Sequence, residues 1–306
     1  MEFMNFINLN IKWFLIFCFS IFTILGCDKN VIENAKIGFV FQGKSIKSSI
    51  LKKEISYSIY LPPDYYISDR TYPMLILLHG SGNDENSWIE YGKIDQLMDE
   101  AISSNVMPGA IVVMPNGENT WYCNVKSENY YWEDAFIKEF IPMIEKTWRC
   151  GGTKQRRIIS GVSMGGFGAL KLSMTYSDVF QACVAFSPAI FTDDEIVYMD
   201  EDMFGDRFKM MFLNFDREDR LKSQWKDENP LYLIDKLDKT SINSVKYYID
   251  CGDEDYLYRG NALLHVLLME KGISHEFRMG NGKHTWPYWR EALQLSFTYI
   301  SQYYTY

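Results

Sequence analysis

The residue types most able to do chemistry lie in one short stretch, Arg157-Ile158-Ile159-Ser160-Gly161-Val162-Ser163-Met164-Gly165-Gly166-Phe167-Gly168-Ala169-Leu170. A serine hydroxyl is a weak nucleophile unless a base takes its proton and its surroundings welcome negative charge. The β-branched pair Ile158-Ile159 predicts a buried strand, and Ala169-Leu170-Lys171-Leu172-Ser173-Met174 predicts a helix. Between them Gly161-Val162-Ser163-Met164-Gly165 matches G-x-S-x-G, the tight turn of a nucleophile elbow, where both glycines let strand and helix approach closely. Ser163 is then lifted to the carboxyl edge of a sheet. There it meets a helix N-terminus whose free N–H groups and dipole favour negative charge.

The usual base is histidine, and the chain has four. Elbow enzymes run serine, acid, histidine along the chain, which sets His79 aside. His265 lies inside the apolar run Ala262-Leu263-Leu264-His265-Val266-Leu267-Leu268, and His275 opens a strand leading away from the carboxyl edge. His284 follows the loop Gly280-Asn281-Gly282-Lys283 and precedes the closing helix, where a base must be to hang over the elbow. The acid that fixes its tautomer is expected just past a strand at 245–249, within Asp250-Cys251-Gly252-Asp253-Glu254-Asp255. Asp250 comes too early, Asp253 and Glu254 form the turn, and Asp255 leaves it. Position alone keeps both Asp255 and Asp253 open. The oxyanion donors expected are the N–H groups of Met164 and of Ser81, the latter in His79-Gly80-Ser81-Gly82, with the His79 ring structural. The cysteines lack metal-ligand spacing, and no metal or organic cofactor is implied.

These residues need a sheet to hold them. Residues 54–61 alternate Ile55, Tyr57, Ile59 and Leu61 with polar positions, and 73–79 carries Met74-Leu75-Ile76-Leu77-Leu78, apolar throughout like a central parallel strand. Further strands are predicted at 110–115, 182–186, 245–249 and 275–279. Helices are predicted at 88–103, 133–148 with a kink at Pro142, 256–271 and 287–303. Segments 37–42 and 45–51 are expected as two antiparallel strands about Gly43-Lys44. A charged insertion at about 191–241 fits a lid over the carboxyl edge. The alternation predicts an α/β architecture, a mainly parallel, doubly wound sheet with helices on both faces. A composition 47% hydrophobic and 23% charged suits one globular domain at 37–306, and the net charge of −9 gives a nucleic-acid partner no support. Cys183 and Cys251 read as core thiols, whereas Cys123 and Cys150 read as loop residues able to pair in an oxidising compartment.

Residues 13–25 form an uncharged run, mostly Phe, Ile and Leu, preceded by Lys12. Its length fits a signal-peptide core better than a membrane span. Its end, Ile24-Leu25-Gly26-Cys27, resembles a bacterial lipoprotein processing site. The expectation is a signal peptide at 1–26, a lipidated Cys27, a tether at 27–36 and an exported body anchored to a membrane of the cell envelope.

Several longer motifs occur together: Tyr60-Leu61-Pro62-Pro63, His79-Gly80 with a polar loop ending in Trp88, Trp121-Tyr122, Glu139-Phe140-Ile141-Pro142 with Ile144-Glu145, and the elbow itself. With them, the chain from about 55 to 299 resembles the putative-esterase family of α/β-hydrolases, the group of esterase D, feruloyl and acetyl-xylan esterases, tributyrin esterase and the mycolyltransferases. Gly252-Asp253-Glu254-Asp255 resembles that family's Gly-Thr-Glu-Asp turn, whose last residue is the catalytic acid; the resemblance therefore implies Asp255. Asp253 stands where threonine is common, which keeps it as the alternative. Gly282-Lys283-His284-Thr285-Trp286 is similar to the family's Gly-x-His-x-Trp. The resemblance implies an α/β-hydrolase fold and a serine carboxylesterase using Ser163, Asp255 and His284 on acyl esters of carbohydrates or small alcohols. Of the nearby aromatics Trp88, Trp121, Tyr122 and Trp286, the substrate-binding candidates are Trp121 and Trp286. Two other readings are an acyltransferase of the same fold and a non-catalytic glycan-binding surface lipoprotein. The complete Ser, Asp and His set argues against the second.

Overall fold

The run Met74-Leu75-Ile76-Leu77-Leu78 is buried at every position, as only a strand with helices on both sides can be. It is the central strand of a computed structural model that describes residues 37–125, 128–208, 217, 219–222 and 224–304. The expected leader, Cys27 and the expected tether lie outside the described residues. Within them the strands are β1 (Phe39–Ser48), β2 (Lys53–Leu61), β3 (Met74–Leu78), β4 (Ile111–Pro115), β5 (Asn124–Val125), β6 (Tyr130–Tyr131), β7 (Arg157–Val162), β8 (Ala182–Phe186), β9 (Lys246–Gly252) and β10 (His275–Gly280). Eight of them form one sheet in the order β1-β2-β4-β3-β7-β8-β9-β10, and β5 and β6 form a small separate ladder. The first two junctions, β1 with β2 and β2 with β4, are antiparallel; the others are parallel. The fold is thus the mainly parallel, doubly wound sheet expected.

Alternation along β3 divides the interior into two layers. Leu75 and Leu77 face Trp289, Leu293 and Phe297 of the closing helix Trp286–Gln302. Met74, Ile76 and Leu78 face the opposite core with Phe136, Phe140 and Leu170. From β3 the chain moves to β4 on one side, then returns to β7 on the other and continues outward to β10. This reversal leaves a crevice at the carboxyl ends of β3 and β7, where open α/β sheets bind ligands.

Three expectations are corrected. Segments 37–42 and 45–51 are not two strands but one, β1, with a bulge between Phe41 and Lys44, both halves pairing with β2. The helix expected at 88–103 divides into Ser87–Glu90 and Ile94–Ser103, because the chain reverses at Gly92 and Lys93, the latter at φ 53. The helix around Pro142 relaxes into a π turn at Phe136–Phe140, in which the Ile141 N–H reaches the Phe136 carbonyl. The pairing of Cys123 and Cys150, open from the sequence, is absent: both are buried free thiols. The Cys123 thiol donates to the Trp121 carbonyl, and the Cys150 thiol lies against Met74 Sδ.

The insertion carries five short α-helices within the described residues, Asp193–Tyr198, Glu201–Phe208, Trp225–Glu228, Pro230–Lys236 and Lys239–Asn243. Two contacts fasten it to the elbow helix Met164–Thr175. Trp225 stacks on Phe167 with ring centroids 5.8 Å apart. Lys171, buried on the same helix, bonds Glu133 and lies 3.0 Å from Glu228 of the insertion. Burial alone would lower the lysine pKa; the two carboxylates hold it above its ordinary value. Breaking such a buried set from one side leaves uncompensated charge. Lys171→Met should therefore lose about 3–5 kcal/mol in denaturant melts, and adding Glu133→Gln with Glu228→Gln should recover part of it. A loss below about 1 kcal/mol in the single variant would show that the set is not a structural tie.

Candidate active site

Ser163 directly follows β7 and stands at the N-cap of the elbow helix at φ 56 and ψ −119, a backbone conformation unfavourable for a side-chain-bearing residue. The surroundings enforce it. The Ser163 N–H donates to the Phe186 carbonyl at 3.0 Å, and its carbonyl accepts from Phe167 and Ala189 at 3.0 and 2.9 Å. A Cβ on Gly165 would stand 2.3 Å from the Leu78 carbonyl oxygen, and one on Gly161 2.4 Å from the Gly165 backbone. Both positions accept only glycine at this spacing, and the turn that results presents Ser163 to the crevice.

His284 reaches the crevice from the loop between β10 and the closing helix. Its Nε2 lies 2.9 Å from Ser163 Oγ, and its Nδ1 lies 2.8 Å from Asp255 Oδ2. A carboxylate only accepts, so Nδ1 carries the proton and Nε2 is left to accept from the serine hydroxyl. Asp255 is fully buried, and its Oδ1 accepts from the Leu257 N–H at 3.0 Å. Burial would raise its pKa, but the His284 and Leu257 bonds, with Ser187 close by, bring it below the ordinary aspartate value. The structure therefore gathers Ser163, His284 and Asp255 into one hydrogen-bonded line.

The other turn acids face elsewhere. Asp253 is exposed and accepts from the Gly282 N–H at 3.0 Å, stapling its turn to the loop that carries His284. Glu254 lies 3.6 Å from Lys283 at the surface, and Asp250 accepts from the Tyr288 hydroxyl. Of the remaining histidines, His265 and His275 face each other at 2.8 Å beneath the sheet edge. His79 is buried; its Nδ1 donates to the Gly80 carbonyl and its Nε2 accepts from the Gly117 N–H. Both ring nitrogens are committed to holding the loop that carries Ser81.

Ser81, Met164, Ser163 and His284 border a hollow of about 390 Å³, with Trp121 and Trp286 also in its wall. As the first residue of its helix, Met164 has no intrahelical acceptor for its N–H. Asn119 holds the other loop, accepting from the Ser81 hydroxyl and the Gly82 N–H. Trp88 and Tyr122 are core residues: the Trp88 N–H donates to the Leu78 carbonyl and the Tyr122 hydroxyl to that of His79. The insertion contributes Phe191 to the hollow and backs Trp121 with Phe208, stacked at 4.6 Å.

Three further residues border the site without a signal in their own stretch of sequence. Tyr256 packs against the His284 ring at 4.7 Å, and Trp289 meets the same ring edge-on at 4.8 Å. The hydroxyl of Ser187, at φ 42, accepts from the Trp289 indole N–H at 3.0 Å. Tyr256 directly follows Asp255, and Trp289 lies one helical turn from Trp286; those spacings are the only local hints. Among the described residues no group of three or more His, Cys, Asp or Glu is placed to hold a metal.

With this geometry in hand, comparison with known proteins is informative. The family model described as Putative esterase matches residues 48–299. An acetyl esterase from Caldicellulosiruptor saccharolyticus is 27% identical over 267 residues, covering 83% of this chain and 96% of its own. A solved ferulic acid esterase aligns with a TM-score of 0.72 at 26% identity, over 88% of this chain and 99% of that one. An S-formylglutathione hydrolase from Agrobacterium tumefaciens shares the fold with a TM-score of 0.67 at 20% identity, over 89% and 98% of the two chains. The architecture is the α/β-hydrolase fold.

The two turn aspartates separate cleanly by substitution. Asp255→Asn removes tautomer control and charge compensation and should lower kcat by about 10⁴. Asp253→Asn acts through a solvated path and should change kcat by about tenfold or less. The reverse order, with both proteins folded, would move the acid to Asp253.

A pH effect follows from His79. Burial lowers its pKa below the ordinary 6.5, although nearby acids and the Gly80 carbonyl oppose this. Below about pH 6.5 the unfolded chain binds a proton that the folded chain refuses, so this component of stability shrinks as pH falls toward the folded value. In His79→Asn, the loss of stability between about pH 7 and pH 5 should be smaller than in the parent, measured by denaturant midpoints. An equal loss would show that His79 is not the residue titrating.

Proposed function

The chain belongs to the putative esterase family, and we propose that it hydrolyses carboxylic esters through an acyl-enzyme formed on Ser163. The observation carrying this reading is the continuous line from Asp255 through His284 to Ser163, at 2.8 and 2.9 Å. Attack of Ser163 Oγ on the ester carbonyl passes its proton to His284 Nε2. The imidazolium so formed is stabilised by Asp255, which stays ionised. In this reading the carbonyl oxygen becomes an oxyanion that accepts from the Met164 and Ser81 N–H groups. Collapse breaks the bond to the alcohol, whose oxygen takes the proton from His284. Water then attacks the acyl-enzyme, giving its proton to the same nitrogen, and the released acid leaves Ser163 as it began.

The substrates in this reading are acyl esters of carbohydrates or small alcohols, with Trp121 and Trp286 flanking the bound ester. Similarity to an acetyl esterase and to a ferulic acid esterase supports that class. The test is a panel of acetyl, butyryl and feruloyl esters on sugars and simple alcohols, run with the parent and with Ser163→Ala. The parent should turn over at least one series, and Ser163→Ala should lose about 10⁴-fold or more in kcat while remaining folded. Substantial turnover by a folded Ser163→Ala protein would remove Ser163 from the chemistry.

We also propose that residues 1–26 are a signal peptide, that Cys27 carries lipid and that residues 27–36 tether the domain to a membrane of the cell envelope. The support is the short apolar run ending in Leu25-Gly26-Cys27. Intact-mass analysis of protein from the native envelope should find the chain beginning at a lipid-modified Cys27. A chain retaining Met1 and an unmodified Cys27 would reject the proposal.

A further inference from the structure

Tyr256 and Phe191 form one edge of the catalytic hollow. Both also line a second hollow of about 660 Å³, walled mainly by the first two helices of the insertion. Asp194 and Tyr198 come from the helix Asp193–Tyr198, Met203 from the helix Glu201–Phe208, and Arg259 from the facing helix Tyr258–Glu270.

Its position relative to the chemistry is informative. His284 must protonate the oxygen of the leaving alcohol, so the alcohol portion of an ester lies beside that imidazole. Tyr256 packs on the same ring, at 4.7 Å, and forms the boundary between the two hollows. A substituent on the alcohol that extends past Tyr256 therefore enters the second hollow.

The lining specifies what such a substituent can be. Tyr198 is 74% exposed, and with Tyr256 it offers amphipathic aromatic surface beside the exposed thioether of Met203. The Glu195 carboxylate is engaged in capping its own helix at Thr192, and Asp200 accepts from the N–H groups of Asp202 and Met203. Asp194 and Arg259 make no side-chain hydrogen bond or ion pair among the described residues, which leaves an acceptor and a set of donors at the rim. Three carboxylates stand against one guanidinium, a balance that disfavours an anionic substituent. Exposed aromatic rings between acceptors and donors, in an acidic field, fit a neutral polyhydroxylated ring: its C–H face covers the aromatic, and its hydroxyls meet Asp194 and Arg259.

We propose that this second hollow is a subsite for the glycosyl part of a neutral sugar alcohol, with Tyr198, Asp194 and Arg259 as specificity-determining residues. The inference rests on the Ser163 esterase reading and adds to it the side on which the sugar lies. The test compares acetylated xylotriose with ethyl acetate in the parent, in Tyr198→Ala and in Asp194→Asn. The ratio of kcat/KM for the trisaccharide ester to that for ethyl acetate should fall about tenfold in Tyr198→Ala, through KM. It should fall in the same direction in Asp194→Asn. In a Ser163→Ala background, calorimetry should detect binding of free xylotriose, weakened about tenfold by adding Tyr198→Ala. Turnover of both esters with an unchanged ratio overturns the subsite and leaves the esterase reading standing. Turnover of neither ester, with Tyr198-dependent xylotriose binding, does the opposite. Binding of S-acetylglutathione but not of xylotriose by Ser163→Ala overturns the assignment to a neutral sugar.

Discussion

The close approach of β7 to the helix that follows it is the constraint on which the rest of this molecule depends. Gly161 and Gly165 are packed so tightly that a Cβ on either would meet backbone atoms. Within that gap the chain has room to reverse only if Ser163 adopts a positive φ, and neighbouring carbonyl and amide groups hold it there. A strained serine is thereby lifted above the sheet and pointed at the crevice. The strain is local, whereas the bonds that enforce it come from β8 and the segment just after it, so the elbow is a property of the whole central sheet. Lys171 and Phe167, on the same helix, then fasten the insertion to this fixed point.

Electrostatics completes what packing begins. Asp255 sits fully buried, a position that disfavours charge, and keeps its charge because His284 and the Leu257 N–H both bond it. The imidazole is in turn flanked by two rings, Tyr256 and Trp289, that limit its rotation. The tie between Asp253 and Gly282 fixes the loop that carries it. Orientation of one imidazole thus draws on β9, β10, the closing helix and the strained Ser187 together. This is why the serine, the acid and the histidine come from separate carboxyl-edge loops and still meet within hydrogen-bond distance.

Local patterns were legible in the sequence and long-range ones were not. The elbow could be read because strand, turn and helix lie within one short stretch. The strand at 182–186 was legible for its unbroken apolar run, and it is observed as Ala182–Phe186. His284 could be singled out because only four histidines exist and three stand at unsuitable places in the order of elements. The choice between Asp253 and Asp255 was left to resemblance, since two acids on one turn differ only in the direction they face. Tyr256, Trp289 and Ser187 were missed because their roles arise from packing: the Ser187–Trp289 bond joins residues 102 apart. The free state of Cys123 and Cys150 was also invisible, because each is buried by elements distant in sequence. The break at Gly92-Lys93 went unread because the apolar pattern runs through it and only the backbone reverses.

The central claim is that the ester's acyl group passes through Ser163, and it can be observed directly. The protein would be mixed with a slowly turned-over aryl ester, quenched in acid within the first turnover, digested and analysed by mass spectrometry. The account predicts an acyl adduct on the peptide containing Ser163, formed with a burst of one aryl alcohol per active chain, since deacylation follows acylation at the same oxygen. Steady turnover with no adduct at any time, or an adduct confined to another residue, would contradict it.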